Sequence, residues 1–324
     1  MTHPPDNSWV APLGLDPADG PHRFACEAMA ATFEIIILGQ NAEYARQAAS
    51  AAFAELRQLE QELSRFIPCS DVAQLNAMAG REAVPVGIAT MDCLQLAAWI
   101  HAETAGAFDV TIGPLLDCWR EADSQSRSPS AQELAAARTR TGMNMVLLDP
   151  RQHLAALSTE GMAIDLGAIG KGYALDHLAN LLREWSIETA LLHGGQSSVL
   201  AIGSPPGQPG WSVALRNPAS QSDSLGTVWL RDQALSGSGM QLHGRHIIDP
   251  RTGQPAEGKS GTWALASTAG ESDAISTAFM VMTPAEVELY RVQHPQIGGM
   301  LLPDPADPQN PLPGPWPAAS WPTL

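Results

Sequence analysis

The stretch that most constrains this chain is IDLGAIGKGYALD, residues 164–176. An apolar run stops at Asp165, three glycines then surround one lysine, and Leu175, Leu178 and Leu182 continue at helical spacing. Such a segment must turn tightly out of the protein interior and then start an amphipathic helix. Gly167, Gly170 and Gly172 can take backbone angles closed to other residues and let the main chain approach a ligand, while Lys171 adds a compact cation. The free N–H groups and positive dipole end of the helix would face an anion, so the stretch reads as a candidate phosphate site. It is not a P-loop, because Gly172 follows the lysine where Ser or Thr is required, and it is not a G-x-G-x-x-G fingerprint. A plain glycine turn before a helix is the alternative reading.

Composition narrows what such a site can serve. The 324 residues, 44% of them hydrophobic, suffice for one large domain or two smaller ones. A formal net charge of −16 repels a phosphate backbone, and no basic stripe with interleaved aromatics occurs, so no nucleic-acid partner is expected. Any anionic ligand must be held locally, by a cation or by backbone dipoles. The N-terminus has neither a basic start nor an apolar h-region, and nothing approaches the roughly 20 apolar residues that span a bilayer. The expectation is a cytoplasmic protein without a membrane span. Cys26, Cys69, Cys93 and Cys118 lie far apart with no C-x-x-C pair, which argues against a zinc site and a dense disulfide framework.

Residues 1–22, rich in Pro, Asp and Gly, read as an irregular arm, residues 23–302 as the folded domain, with room for two lobes about a ligand site, and residues 303–324 as a Pro-rich tail. Residues 24–39 predict one strand ending at Gly39, and residues 41–66 a helix. The chain leaves that helix at Pro68 and restarts after Ser70, a suitable N-cap. A further helix is expected over 87–104, and an exposed insertion with one short helix after Ser130 over 121–140. Short β-like runs follow, among them MNMVLLD, HLAALS, MAIDLG, TALLHGG, SSVLAIG, WSVALR, GTVWLR, TWALAS and GGMLLP, and SPPGQPG at 204–210 reads as a hairpin-like loop. Helices early and strands late predict an α+β fold around a mostly antiparallel or mixed sheet.

Four further motifs carry chemistry. Asp109 and Thr111 share one face if their segment is extended and can hydrogen-bond a ligand; an Asx-type turn is the alternative. Gly194 and Gly195 end a strand-like run, suiting either a nest of N–H groups for an anion or a simple tight turn. His246, near an expected glycine–serine loop SGSG at 236–239 and before the turn sequence DPRTG, is a candidate general base; a structural or exposed histidine is the alternative. Asp273 and Thr277, four apart on a predicted helix, offer hard oxygens of the kind Mg²⁺ or Ca²⁺ accepts; an aspartate favouring the helix dipole and a threonine bonding back to the preceding turn are the alternative.

In their order these motifs resemble the ApbE family of FAD:protein FMN transferases. The resemblance runs from about Phe24 to about Leu302 through MAATFEI, LSRFIPCSDVAQLN, GAFDVTIGPLLDCW, IDLGAIGKGYALD, LLHGGQSSV, HIIDPRTG and ESDAISTA. It implies an enzyme that uses Mg²⁺ to move the FMN part of FAD to a Thr or Ser hydroxyl of a flavoprotein acceptor, releasing AMP. Hydrolysis of FAD to FMN and AMP, or FAD binding without turnover, are the alternatives. By the same resemblance the Ala168 carbonyl and the side chains of Asp273 and Thr277 would hold the metal. Met29, Asp109, Thr111, Asp165, Gly167, Ala168, Lys171, Gly194 and Gly195 would support the dinucleotide, and His246 would be the base, with Lys171 and Asp273 also catalytic. The chain departs from the family pattern where SGSG replaces SGDY, where Ala30 replaces a glycine after Met29, and where the exported relatives carry a signal or lipobox.

Overall fold

The computed structural model describes residues 20–217, 220–239 and 247–304. Most of the N-terminal arm, the candidate base His246 and the tail from residue 305 lie outside the described residues.

In chain order the elements are β1 (His22–Ala28), β2 (Ala31–Ile37), α1 (Ala42–Leu63), α2 (Asp71–Ala77), β3 (Val84–Pro85), α3 (Ile88–Glu103), α4 (Gly113–Ser124) and α5 (Ala131–Arg138). Then come β4 (Val146–Asp149), β5 (Leu154–Leu157), α6 (Gly170–Glu184), β6 (Ala190–Gly194), β7 (Ser198–Ile202), β8 (Trp211–Asn217) and β9 (Ser220–Leu230). The last are β10 (Ala234–Gly239), β11 (Lys259–Ala266), α7 (Ala269–Val281), α8 (Pro284–Gln293) and β12 (Gly298–Pro303). The fold is α+β, as the sequence predicts. Its main sheet has the order β1-β2-β6-β7-β10-β11-β12, with every neighbouring pair antiparallel.

The main sheet has two differently covered faces, set by the alternation of side chains along each strand. On one face Phe33, Leu192, Leu200, Ala234 and Ala264 pack with the buried stripes of α1, α6 and α7. On the other, Ile36, Leu191, Val199, Leu235 and Trp263 meet Trp211, Val213, Val228 and Leu230 from the β8–β9 ribbon. The small sheet β3-β5-β4 contributes Val84, Ala155 and Leu157 to the same helix-side cluster. The two sheets therefore share one core.

Several boundaries follow from local chemistry. Asn41 and Ser70 cap α1 and α2 through their side chains, and Ser130 and Glu133 form a capping box on α5. Five expectations are corrected. Residues 24–39 form a hairpin, because Met29 and Ala30 take positive φ and turn the chain between paired Ala28 and Ala31. MAIDLG is an irregular connection, and SGSG is not a loop but the end of β10, where Gly237 makes room for the Trp263 ring. The 204–210 segment joins two different sheets and so closes no hairpin. The 121–140 insertion is anchored, since Leu115, Trp119, Ala137 and Ile248 form a cluster of their own and the Trp119 indole donates to the Gly253 carbonyl at 2.9 Å.

The four cysteines are free, Cys93 buried and Cys69 exposed. Among the described residues no helix is long and apolar enough to cross a membrane.

Candidate active site

The site lies where α6 begins, under the end of the main sheet that carries the β1–β2 and β6–β7 turns. The Ile164–Ile169 connection reaches it under tight control. Asn76 holds Ile164 at both ends of its side-chain amide, accepting from the Ile164 N–H at 2.7 Å and donating to its carbonyl at 3.0 Å. The Asp165 N–H donates to the Val110 carbonyl at 2.8 Å. Arg65, at the end of α1, donates to Asp165 Oδ2 at 3.0 Å and forks onto both oxygens of Asp117. The second Asp165 oxygen accepts from the Gly167 N–H at 2.8 Å. Both oxygens of Asp165 are thus spent bracing the loop.

The glycines of this stretch serve packing more than unusual backbone angles. None of Gly167, Gly170 and Gly172 has a positive φ. A Cβ on Gly172 would overlap the Ala269 carbonyl oxygen and lie 2.8 Å from the Asp273 Cβ, so only glycine lets α6 and α7 touch here. That contact delivers Asp273 to the start of α6, where the Gly172 N–H donates to its Oδ2 at 3.1 Å. Lys171 approaches the same oxygen at 3.9 Å and donates to the Gly167 carbonyl at 3.2 Å. An N-terminus expected to be open for an anion is therefore largely satisfied: Gly170 and Tyr173 bond back to Leu166 and Ile169, and the Asp273 carboxylate already faces the dipole.

The same arrangement leaves oxygen atoms available. Gly172 donates to Asp273 in place of Ala168, and among the described residues no hydrogen bond reaches the Ala168 carbonyl or Asp273 Oδ1. One turn further along α7, the Thr277 hydroxyl lies 3.1 Å from the Ser238 hydroxyl of β10. A buried carboxylate, a carbonyl and a hydroxyl are hard donors that fit Mg²⁺ better than a softer ion. Among the described residues no group of three or more His, Cys, Asp or Glu side chains converges.

The other sequence candidates are turn and cap residues. Asp109 and Thr111 are buried and lie on a short 3-10 turn rather than an extended segment. Asp109 accepts from the Thr111 N–H at 2.7 Å and hydroxyl at 2.6 Å, and the Thr111 oxygen accepts from the Gly142 N–H at 2.6 Å. Burial raises the Asp109 pKa against these bonds. Gly195 takes φ +65° and gives its N–H to the Thr32 carbonyl at 3.0 Å, so the Gly194–Gly195 pair is a tight turn, not an open nest. Met29 donates its N–H to Glu60 at 2.6 Å, which pins the β1–β2 turn to α1. Lys171, Asp273 and Thr277 come together at the junction of α6 and α7, while Asp109 and Thr111 form a separate cap.

Sequence reasoning passed over several contributors. Asp176, one turn beyond Lys171, accepts from the Ala269 and Gly270 N–H groups at 2.7 and 2.8 Å and so caps α7 from another helix. Burial lifts its pKa to about 6. Phe66 is 75% exposed beside Arg65, an aromatic face at the rim of the braced loop. Ser198 and Ser236 pair across β7 and β10 with buried hydroxyls that have no hydrogen-bond partner among the described residues. Only Phe66 gave a signal in the sequence, as a bulky ring between the end of a helix and a proline.

The fold and these side chains define a class, an α+β protein whose site combines hard oxygens with one lysine. The ApbE family pattern matches residues 29–301. The FAD:protein FMN transferase of Klebsiella pneumoniae is 30% identical over 284 residues, covering 81% of this chain and 79% of that protein. The FAD:protein FMN transferase of Escherichia coli K12 is 30% identical over 243 residues, covering 71% and 69%. The ApbE protein of Thermotoga maritima superposes with a TM-score of 0.77 at 27% identity, over 87% of this chain and 94% of that one. The chain belongs to the ApbE family and is a transferase.

Proposed function

We propose that this transferase moves the FMN part of FAD to a Thr or Ser hydroxyl of a flavoprotein acceptor, with Mg²⁺, and releases AMP. The observation that carries the reading is the junction of α6 and α7, where the Gly172 N–H holds the Asp273 carboxylate and Lys171 approaches the same oxygen. Asp273, Thr277 and the Ala168 carbonyl would hold the metal, which when bound neutralises charge on the pyrophosphate oxygens. Lys171 would place its cation against the same pyrophosphate, and the exposed Phe66 ring offers a flat face to a flavin or adenine. The Gly167, Gly194–Gly195, Met29, Asp109 and Thr111 segments would shape the dinucleotide cleft through their backbones. The acceptor oxygen bonds to the FMN phosphorus, the P–O bond to AMP breaks, and His246 takes the acceptor proton, a contribution of about 10²–10⁴-fold for a positioned base.

The test is AMP release from FAD by the purified protein, with and without Mg²⁺, and with a small flavoprotein domain carrying an acceptor threonine. The expected result is Mg²⁺-dependent AMP together with covalent flavin on the acceptor, both abolished in a folded Asp273→Ala variant. AMP with free FMN alone would make the protein an FAD pyrophosphatase. FAD binding without AMP would make it a flavin carrier.

A further inference from the structure

Three hydroxyls and one carbonyl form a chain between β10 and α7. The Ser276 hydroxyl donates to the Asp273 carbonyl at 2.8 Å, and the Ser238 and Ser276 hydroxyls lie 2.8 Å apart. Ser238 and Thr277 are 3.1 Å apart, and Thr277 is 3.4 Å from the Asp273 carbonyl. A carbonyl only accepts, so the Ser276 proton is committed to it. Ser276 then takes the Ser238 proton, and Ser238 is left as an acceptor. The nearer acceptor for the Thr277 proton is therefore Ser238 rather than its own helix.

We infer that Ser238 is a positioning residue that fixes the direction of the Thr277 hydroxyl, turning its lone pairs away from β10 as a ready oxygen ligand for a divalent cation. This rests on the metal site proposed above and extends it to a residue that does not itself touch the ion. Position matters as much as chemistry. β10 presents Ala234, Ser236 and Ser238 to the helices and Leu235 and Gly237 to the other face, so only an even-numbered side chain here can reach α7. Thr262, on the neighbouring strand, donates to the Ser276 carbonyl at 2.6 Å and holds that turn of α7 against the sheet. The relay is thus built on regular elements, which hold a hydroxyl direction better than a loop does.

The test measures Mg²⁺ binding to the FAD-loaded full chain by calorimetry, without acceptor protein, for Ser238→Ala, Thr277→Ala and the double variant. Unfolding temperatures accompany each measurement. Ser238→Ala is expected to weaken Mg²⁺ about 10-fold with little change in metal-free FAD binding, the scale found when a ligand's hydrogen-bond partner is removed. Added to Thr277→Ala, it should weaken Mg²⁺ no further, because a residue acting only through Thr277 has nothing left to orient. Ser238→Asp, which still accepts from Thr277, should restore binding to wild-type strength or tighter. Unchanged Mg²⁺ affinity in Ser238→Ala, or independent losses in the double variant, overturns the positioning role. If Thr277→Ala itself leaves Mg²⁺ binding intact, the metal assignment fails and the relay fails with it.

Discussion

The two faces of the main sheet are made by alternate residues of the same strands, yet they are built to opposite rules. Toward the β8–β9 ribbon the strands present Leu235, Trp263 and Leu265, which pack against Trp211, Val213 and Leu230. Toward α6 and α7 the same stretches present Ser198, Ser236, Ser238 and Thr262, and the helices answer with Gly172, Ala269 and Asp273. The ribbon face stabilises by apolar area, so its cost of change scales with the volume removed. The helix face also buries Phe33, Leu192 and Leu200, but where α6 meets α7 it carries small residues at close range, where directed hydrogen bonds set the geometry and one added methyl meets backbone. Bulk supplies stability on both faces, and the local lack of bulk where α6 meets α7 leaves room for directed contacts.

Breaking the ribbon face should produce the largest effect on stability and the least on the site. Trp211→Ala is expected to cost about 3–5 kcal/mol in denaturant unfolding while leaving Mg²⁺ affinity of the folded fraction unchanged. A parallel loss of Mg²⁺ affinity would show that the faces are not independent. Gly172→Ala should cost less, about 1–3 kcal/mol, because α6 and α7 can move apart. It should nevertheless abolish Mg²⁺-dependent AMP release, since the Asp273 carboxylate moves with α7; retained turnover would remove the helix contact from the site.

The titrating groups sharpen the contrast, because burial works in opposite senses on Asp176 and His193. Asp176, on the helix side, is raised by burial to about 6. The folded state binds its proton more tightly than the unfolded chain, so this stabilisation is present at acid pH and is lost as pH rises toward 6. His193, on the ribbon side of β6, is lowered by burial to about 4. There the unfolded chain binds the proton more tightly, so stability is gained as pH rises from 4 toward the ordinary histidine value. Thermal unfolding between pH 4 and 6.5 should therefore steepen upward in Asp176→Asn, which removes the opposing term, and flatten in His193→Gln. Identical pH profiles for the two variants would contradict the assignment.

The smallest expected effect is a gain. Ala30 is held at φ +56° in the β1–β2 turn, a conformation that costs a residue with a Cβ about 1 kcal/mol. Ala30→Gly should raise stability by about that amount, offset in part by the freer unfolded chain, and should leave both faces untouched.

Much of this was readable along the chain. Asn41, Ser70 and Ser130 announce their helices because a cap is satisfied within a few residues of itself, and the α+β class follows from periodicities of 3.6 and 2. Asp273 and Thr277 share a face of α7 for the same local reason. The β1–β2 hairpin was hidden because Met29 and Ala30 are not turn residues, and their turn is held by Glu60 from a distant helix.

The sequence by itself determined which groups are present and which helix or strand carries each, since caps, periodicity and glycine spacing act over one or two turns. Tertiary structure alone decided what those groups meet. It made Asp165 a loop brace through Arg65, made Gly172 a helix contact through Ala269, made Asp176 a cap for another helix, and aimed Ser238 at Thr277. Those partners lie 39 to 100 residues apart, from Ser238 and Thr277 at the near end to Arg65 and Asp165 at the far end. No local preference encodes a direction across that distance; only packing two helices against one face of a sheet does.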